Sequence, residues 1–377
     1  MTERAWAAAY PPGVPAEIDA TQYRSLVALM EEAFAKYANR VAYSFMGADI
    51  SFAQTDRQSL SVAAYLQGLG LAKGDRVAIM MPNVPQYPVA VAAILRAGLV
   101  VVNVNPLYTP RELEHQLKDS GAKAIVIIEN FAITLQKCIA ETQIKHVVLC
   151  AMGDMLSMPK GALVNFVVRN VKSLVPDFDL PGAVKFNQAL SRGERAPFVK
   201  PVVKSEDIAV LQYTGGTTGV PKGAMLSHQN ITANARQVNA LDPKAGQRDV
   251  IVGVLPLFHV FANVAVLNRT VLNGGCIAML PRFEAGGALN TLERVRATAF
   301  PGVPTMYQAL LDHKLAAKID FSSLRVCISG GAPLPLPLKQ RFEAVTRARL
   351  IEGYGLTETA GVATANPYEG EERPGTI

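Results

Sequence analysis

Short hydrophobic runs alternate with helical patterns along most of this chain. In its first half, four such runs lie between polar residues and turns: Val77–Met81, Val100–Val104, Ala124–Ile128 and Val147–Cys150. Uniformly apolar runs of this length are typical of parallel strands that helices cover on both faces. A helix is expected around Pro85–Ala97, and the pattern as a whole predicts an α/β fold.

The helix expected after the second run has sequence signals at both ends. Thr109 is placed to cap it, Pro110 occupies the first helical position, and Glu112 completes a capping box. Gly121 is expected to end it, because glycine accepts the left-handed conformation of a helix C-cap.

The same alternation resumes after residue 205. Strands are predicted at Ile208–Tyr213, Ala224–Ser227, Val250–Leu255, Cys276–Leu280, Val326–Ser329 and Leu350–Glu352, and helices around Asn230–Leu241, Gly287–Ala297, Pro304–Lys314 and Leu336–Val345. The elements predict two stacked βαβ-type subdomains, each with a largely parallel sheet flanked by helices. We expect the first to span residues 1–204 with an N-terminal arm and the second to span 205–352. Residues 353–377 are expected to begin a small β-rich subdomain, with a turn-rich end at 366–377.

Residues 152–204 interrupt the alternation and include a basic amphipathic stretch, Lys160–Val175. One helical stripe of this stretch is formed by valines, and Arg169 and Lys172 lie off it. The valines are Val164, Val167, Val168, Val171 and Val175. We favour a helix that packs on its own domain. A helix on a membrane surface is the alternative interpretation.

Composition narrows the class of protein without identifying it. Half of the residues are hydrophobic and 18% are charged, which supports a large folded core and excludes a disordered, coiled-coil or collagen-like chain. The net charge of +6 is compatible with phosphate-bearing ligands or an anionic membrane surface. Because the basic excess is small and no basic–aromatic stripe is present, nucleic-acid binding is not expected.

Two uncharged stretches approach the length of a membrane span, Val77–Leu95 and Val250–Asn268. Both contain proline, and the second also contains His259 and Asn263, so we interpret both as buried structure rather than transmembrane helices. The four cysteines form no C-x-x-C pair, and residues 1–15 lack the apolar core of a secretory signal. Reduced thiols and a cytoplasmic location are therefore predicted, with contact at the cytoplasmic face of a membrane left open.

The strongest local signal is the glycine-rich segment Tyr213–Gly223. An apolar strand leads into a loop that combines flexible glycines, threonine hydroxyls and one lysine, which together can cradle a polyphosphate. These residues are Thr214, Gly215, Gly216, Thr217, Thr218, Gly219 and Lys222. The segment is not a Walker A loop, because Pro221 precedes the lysine and Gly223 follows it. A strand–loop–strand geometry is predicted.

Four motifs in this order resemble the signatures of the adenylate-forming enzymes, which include acyl-CoA synthetases, luciferases and peptide-synthetase adenylation domains. They are the glycine-rich segment together with Pro256–Phe261 (PLFHVF), Ser329–Pro333 (SGGAP) and Gly353–Thr359 (GYGLTET). The segment Asn105–Leu117, with the region Ala64–Leu71, is similar to bacterial long-chain fatty-acid–CoA ligases. The resemblance covers essentially the whole chain.

The resemblance implies a two-step reaction. A fatty acid and ATP give an acyl adenylate and pyrophosphate, and the thiol of coenzyme A then displaces AMP. ATP, Mg²⁺ and coenzyme A as co-substrate are the implied cofactors. Because the first step is an in-line displacement at phosphorus, positioning and charge neutralisation suffice and no side-chain nucleophile is needed.

The resemblance also assigns roles around the nucleotide. Tyr213 and the loop from Thr214 to Lys222 are expected to hold the β- and γ-phosphates. Gly331, Ala332 and Pro333 are expected to form a backbone edge beside adenine, and Tyr354, between Gly353 and Gly355, to stack on the base. Thr357 is assigned to the α-phosphate, and Glu358, assisted by Thr214, to magnesium. A buried structural pairing of Glu358 is the alternative.

For the acyl group, the resemblance places His259 at the carboxylate end of a pocket. The other expected lining residues are Phe258, Val260, Phe261, Gly302, Val303, Pro304 and Gly330. Gly302 and Gly330 are expected to leave space for a tunnel, so Gly302→Trp should shorten the accepted chain. Lys222, His259, Thr357 and Glu358 are the candidate catalytic residues.

Members of the resembled family continue beyond the last motif into a mobile C-terminal domain. The chain is therefore expected to be the large N-terminal part of such an enzyme. Two other functions stay open: transfer of the acyl group to a carrier protein, and a non-catalytic module that binds lipid or nucleotide. A homodimer is also left open.

Overall fold

A computed structural model describes residues 10–214, 221–242, 244 and 248–377. Their contacts divide the chain into two compact units. The N-terminal unit comprises residues 24–39 and 45–228, and the C-terminal unit comprises the described residues of 1–23, 40–44 and 229–377.

The described residues form strands and helices throughout both units. The strands are β1 (Val41–Phe45), β2 (Ala48–Ser51), β3 (Arg76–Met80), β4 (Val100–Asn103), β5 (Ala124–Ile128), β6 (His146–Cys150), β7 (Val184–Lys185), β8 (Ile208–Thr214), β9 (Lys222–Ser227), β10 (Val250–Gly253), β11 (Cys276–Met279), β12 (Ala299–Gly302), β13 (Val326–Ser329), β14 (Arg349–Leu356) and β15 (Gly361–Ala365). The α-helices are α1 (Leu26–Lys36), α2 (Phe52–Gly68), α3 (Gln86–Arg96), α4 (Pro110–Ser120), α5 (Ala132–Gln136), α6 (Lys160–Phe166), α7 (Phe186–Gly193), α8 (His228–Ala240), α9 (Arg269–Asn273), α10 (Ala285–Arg294), α11 (Pro304–Asp312) and α12 (Leu336–Thr346).

The N-terminal unit is built on a sheet with the strand order β7-β6-β5-β3-β4-β8-β9. All of its pairings are parallel except the β8–β9 hairpin. β4 and β5 are buried along their whole length, as expected for strands covered on both faces. Helix α2 packs against α3 and α7.

The end signals predicted for α4 are confirmed. The Thr109 hydroxyl accepts a hydrogen bond from the Glu112 backbone N–H at 3.4 Å, and the Glu112 carboxylate accepts one from the Thr109 N–H at 2.8 Å. Gly121 follows the helix with a φ of 59°, in the left-handed region. Local capping chemistry therefore fixes both ends of this helix.

The C-terminal unit contains a second sheet, with its strands in the order β15-β14-β13-β12-β10-β11-β1. The pairings among β1 and β10 to β14 are parallel, and β15 runs antiparallel to β14. Its core holds three aromatic rings in edge-to-face contact: the ring centroids of Phe300 and Tyr307 lie 5.6 Å apart, and those of Tyr307 and Phe342 lie 5.1 Å apart.

The sheet pairings differ from the boundaries expected from the sequence. β8 pairs in parallel with β4, with Val210 beside Val101, so a boundary at residue 204 separates β8 from its own sheet. β14 continues through residue 356, so a boundary after 352 falls inside a strand. Local hydrophobicity marks a strand but does not say which strand it will pair with.

The sequence patterns did not reveal β12 or the helical segment between β10 and β11. β12 contains Pro301, and proline within an apolar run argues against a central strand. Ala262–Asn268 is a π-helix that leads into α9, and each of its residues is buried, so it has no polar face to reveal a helical period. Among the described residues, no helix is long and apolar enough to cross a membrane.

Candidate functional site

Three of the four motifs meet at one edge of the sheet in the C-terminal unit. β10, β12 and β13 end at Gly253, Gly302 and Ser329, and the parallel register places Ser329 beside both Gly302 and Glu352 of β14. Loops that follow parallel strands emerge at the same edge, where open α/β sheets bind ligands. The predicted site residues at 256–261, 302–304, 330–333 and 353–359 therefore share one edge.

Gly330 brings the ends of several strands into contact. Its N–H donates a hydrogen bond to the carbonyl of Gly302 at 3.1 Å. A Cβ atom on Gly330 would lie 3.0 Å from the Phe261 ring and 3.2 Å from the carbonyl oxygen of Gly353. Both distances are shorter than ordinary contacts, so a side chain at Gly330 would have to displace the Phe261 ring or the Gly353 backbone slightly.

Gly331, Ala332 and Pro333 form an exposed backbone edge. Gly331 has a φ of 77°, which favours glycine. Directly after this edge, the Leu334 N–H donates a hydrogen bond to the carboxylate of buried Glu352 at 2.8 Å. Sequence reasoning missed Glu352, although an acidic residue at the end of a buried strand, directly before the Gly-Tyr-Gly motif, was a visible signal.

Tyr354 presents its ring at the surface, where half of the residue is exposed. The pairing of β14 with β15 shifts register between Tyr354 and Gly355. A Cβ on Gly355 would lie only 1.8 Å from the carbonyl oxygen of Gly361, so a side chain at this position would break the pairing. The two strands thus hold an aromatic face open to a planar ligand.

Glu358 lies in a short 3₁₀ turn, Thr357–Thr359, and is exposed. Its carboxylate makes no hydrogen bond or ion pair with the described residues, so the alternative of a buried structural pairing does not hold there. Mg²⁺ usually keeps its waters and binds one or two carboxylates together with substrate phosphates. A lone exposed carboxylate fits that pattern, and the described residues contain no cluster of three or more side chains that could hold a metal unaided.

His259 begins the buried helical segment that follows β10. Its N–H donates to the Pro256 carbonyl, and its own carbonyl accepts from the Asn263 N–H, both at 2.9 Å. The residue is exposed, yet desolvation by the protein around the imidazole lowers the pKa of His259 below its usual 6.5. At neutral pH the ring is therefore uncharged. Beside it, Val260 is buried and Phe258 is half-buried.

Gly302 faces the core of the unit. A Cβ on Gly302 would lie 3.0 Å from the Phe300 ring and 3.2 Å from the Tyr307 ring, and both of these residues are fully buried. The absent side chain thus makes room for aromatic packing on this face of β12. Val303 is half-buried and Pro304 is the buried first residue of α11.

The glycine-rich segment belongs to the N-terminal unit, and the two strands predicted on either side of its loop are confirmed. β8 and β9 form an antiparallel hairpin in which Tyr213 pairs with Gly223 and Thr214 with Lys222. The Tyr213 hydroxyl donates to the Asp119 carboxylate at the end of α4. Burial, followed by the Asp119 hydrogen bond and charge, raises the pKa of Tyr213.

Some of the predicted phosphate-binding residues lie outside the described residues: Gly215, Gly216, Thr217, Thr218 and Gly219. Of the other predicted phosphate ligands, Lys222 is exposed and Thr214 is half-buried. The anchoring of Tyr213 to α4 fixes one side of the hairpin where the loop begins.

The fold and the motifs at the sheet edge define an adenylate-forming enzyme. The AMP-binding enzyme family matches residues 30–377, and the chain belongs to this family. The long-chain-fatty-acid–CoA ligase of Yersinia pestis is 48% identical over 379 residues, covering 100% of this chain and 67% of the relative. The enzyme of the same name from Bacillus subtilis is 37% identical over 381 residues, with the same coverage.

Solved structures show the same fold at lower identity. The anthranilate CoA ligase AuaEII, in complex with anthranoyl-AMP, superimposes with a TM-score of 0.83 at 24% identity, over 95% of this chain and 65% of that chain. A long-chain-fatty-acid–CoA ligase from Archaeoglobus fulgidus gives a TM-score of 0.78 at 24% identity, over 95% and 69%. The chain therefore spans about two thirds of the length of these relatives.

Proposed function

We propose that the protein takes part in the ATP-dependent activation of a long-chain fatty acid to an acyl adenylate, followed by transfer of the acyl group to coenzyme A. The observation that carries the proposal is the 48% identity with a long-chain-fatty-acid–CoA ligase along the whole of this chain. The convergence of three motifs at one ligand-binding edge of a parallel sheet supports it.

In the proposed complex, adenine lies along the exposed backbone of Gly331, Ala332 and Pro333, with the Tyr354 ring stacked on it. Thr357 hydrogen-bonds the α-phosphate. Glu358, assisted by Thr214, would hold Mg²⁺, which would neutralise charge on the phosphates. Tyr213 and the loop from Thr214 to Lys222 would hold the outer phosphates.

The fatty acid is proposed to enter beside Phe258, Val260 and Phe261, with its carboxylate near His259. Because His259 is uncharged at neutral pH and a fatty acid is already ionised there, His259 orients the carboxylate by a hydrogen bond and removes no proton. Val303, Pro304 and Gly330 complete the proposed lining. Gly302 supports this wall through the core packing behind it.

Thermal unfolding with two non-hydrolysable acyl-adenylate analogues, one palmitoyl and one acetyl, tests the proposal. A ligand that binds only the folded state raises the midpoint in proportion to its affinity. We expect the palmitoyl analogue to stabilise the chain more than the acetyl analogue, and Tyr354→Ala to weaken the effect of both. Equal stabilisation by the two analogues would contradict the long-chain assignment, and no stabilisation by either would contradict the adenylate site.

A ligase that delivers its acyl group to a carrier protein would share the first step, so the acceptor must be measured separately. Incubation of the full protein with palmitate, ATP and Mg²⁺, followed by addition of either coenzyme A or a phosphopantetheinylated carrier protein, distinguishes the two. We expect palmitoyl-CoA as the product. A Glu358→Gln variant should need more Mg²⁺ for half-maximal pyrophosphate release. The control is Glu371→Gln, which removes an exposed carboxylate in the turn-rich C-terminal segment and should leave the Mg²⁺ requirement unchanged.

A further inference from the structure

The helical segment after β6 is attached to the N-terminal unit through small and polar residues. α6 continues directly into a π-helix, Val167–Val171. On the attached side, a Cβ on Gly161 would lie 2.5 Å from the carbonyl oxygen of Gly153. The Asn165 side-chain oxygen accepts a hydrogen bond from the Gly153 N–H at 2.7 Å. The backbone of the helix is therefore in direct contact with the backbone of the loop before it, and a side chain at Gly161 would not fit between them.

An ion pair and a second hydrogen bond fix the far end of this segment. The Arg169 guanidinium donates to both oxygens of buried Glu129, with distances from 2.7 to 3.0 Å. The Asn130 amide donates to the carbonyl of Leu174 at 3.0 Å. Of the valine stripe expected to face the domain, Val168 is buried and Val171 is exposed. The other three, Val164, Val167 and Val175, are half-buried. The position of the segment is therefore fixed at both ends.

The large apolar side chains of the segment point away from the unit to which it is attached. A surface helix normally buries its apolar residues, but here several large ones are left exposed. Between 53% and 77% of each of five residues is exposed: Met158, Leu163, Phe166, Val171 and Leu174. Large exposed apolar side chains grouped on one short segment are typical of an interaction site.

The segment ends in a π-turn beside this outward apolar face. The Lys172 N–H donates to the Val167 carbonyl, five residues back, at 2.8 Å. The Asn170 amide donates to the Phe166 carbonyl at 3.2 Å, so one polar side chain lies next to the exposed Phe166.

Cations and a further apolar residue border the face. Residues 155–176 contain Lys160, Lys172 and Arg169, of which Arg169 is paired with Glu129. The range has no acidic residue of its own and is bounded by Asp154 and Asp177. The Lys160 ammonium donates to the carbonyl of Met46, in the turn between β1 and β2, and Met46 is itself 41% exposed. An apolar surface with a cationic border is the arrangement that binds the interface of an anionic bilayer.

We propose that the outward apolar face, formed by Met46, Met158, Leu163, Phe166, Val171 and Leu174, docks this protein on the surface of an anionic lipid bilayer. A symmetric dimer would pair identical patches and so bring the same cations together. An anionic bilayer supplies the opposite charge. The link to catalysis rests on the proposed function, since a long-chain fatty acid partitions into the same bilayer, but the docking itself does not depend on it.

Vesicle flotation without substrate tests the docking. The full chain is mixed with vesicles of phosphatidylcholine alone or of phosphatidylcholine with phosphatidylglycerol. We expect binding to the anionic vesicles, and at least an about tenfold lower partition coefficient for the Leu163→Glu/Phe166→Glu double variant. The matched control is Val199→Glu/Val202→Glu, which adds the same charge at residues that are 75% and 77% exposed outside the face. This control should float like the wild type.

A second pair of substitutions separates charge from apolar contact. Lys160→Gln/Lys172→Gln should remove the preference for anionic vesicles, because Arg169 is already paired with Glu129. Equal flotation of the Leu163→Glu/Phe166→Glu variant and the Val199→Glu/Val202→Glu control would overturn the proposal. The proposal would also fail if the wild type were a dimer that bound no vesicles and the Leu163→Glu/Phe166→Glu variant were a monomer. The face would then bind a second copy of the chain rather than lipid.

Turnover of palmitate dispersed in detergent distinguishes this proposal from the proposed function. The Leu163→Glu/Phe166→Glu variant should retain wild-type turnover there, because the substrate no longer has to be taken from a bilayer. If the wild type floats with anionic vesicles but shows no palmitate activation, the proposed function fails and the docking proposal stands. If palmitate is activated but no variant affects flotation, the docking proposal fails and the proposed function stands.

Discussion

The carboxylate of Glu352 accepts a hydrogen bond from the backbone N–H of Leu334 at 2.8 Å, and it does so from a buried position at the end of β14. This bond ties the exposed backbone edge at 331–333 to the strand that carries Tyr354. We expect Glu352→Ala to raise the KM for ATP by about tenfold, the usual cost of losing a hydrogen bond to a charged group. Glu352→Gln, which retains an acceptor, should be milder.

Glu343 provides the control for this prediction. Its carboxylate also accepts a backbone N–H, that of Leu350, at 2.8 Å, but from α12. Glu343→Ala should therefore lower the unfolding midpoint without changing the KM for ATP. Equal changes in KM for the Glu352→Ala and Glu343→Ala variants would show that Glu352 acts only through stability.

The parts of the fold that the sequence predicted are those with local signals. The ends of α4 follow from Thr109, Glu112 and Gly121, which act within one turn of the helix. The shared edge of the motif loops follows from the parallel pairing that apolar runs predict. The β8–β9 hairpin follows from the turn-rich segment between two strands.

The remaining features depend on contacts between residues distant in sequence. The pairing of β8 with β4 is settled by packing, and the run Ile208–Tyr213 carries no mark of its partner. β12 contains Pro301 and still pairs in register with β13, where Pro301 lies beside Ile328; the run itself does not indicate that pairing. The direction in which Gly302 faces depends on Phe300 and Tyr307. The family resemblance and the small size of glycine, which placed it on a tunnel, do not indicate that direction.

The lowered pKa of His259 predicts a particular pH dependence of activity. Desolvation keeps the imidazole neutral above pH 6.5, and protonation on acidification adds a charge near the proposed carboxylate site. We expect the acid limb of kcat/KM for the fatty acid to lie below pH 6.5 and to be absent in His259→Gln. The control is His313→Gln, at the end of α11. The same acid limb in all three proteins would contradict this role.

The pKa of His228 predicts a loss of stability in acid. Burial lowers this pKa to about 4, and the imidazole Nδ1 accepts the backbone N–H of Leu26 at 3.3 Å. The unfolded chain binds a proton near pH 6.5, so stability falls as the pH drops from 6.5 to 4, by about 3 kcal/mol from this group. Urea unfolding at several pH values should show a shallower dependence for His228→Asn. An identical dependence would contradict the prediction.

A buried ion cluster is expected to stabilise the C-terminal unit. Asp242 accepts hydrogen bonds from Arg325 at 2.7 Å and from Arg269 at 2.8 Å. Burial alone would raise the pKa of Asp242, but these two arginines outweigh it and lower the pKa. Asp242→Asn should lower the free energy of unfolding by about 3–5 kcal/mol, because it leaves buried cations incompletely paired. In urea unfolding, Asp242→Asn/Arg325→Met should cost less than the sum of the single changes. Additive costs would show that the pair does not interact.

Substitutions at Gly302 test whether this residue packs against the aromatic core or lines the proposed acyl tunnel. Because a Cβ would lie 3.0 Å from Phe300 and 3.2 Å from Tyr307, Gly302→Ala should lower the free energy of unfolding by about 1–3 kcal/mol through overpacking. The acyl-chain preference should stay unchanged, and Gly302→Trp should fail to fold. Gly353→Ala is the matched control at the same sheet edge, where the nearest atom to a new Cβ would be 3.6 Å away, so its urea midpoint should stay close to that of the wild type. A folded Gly302→Trp variant that accepts only shorter acids would instead place Gly302 on the wall of the tunnel, because its side chain would then have to extend away from the aromatic core.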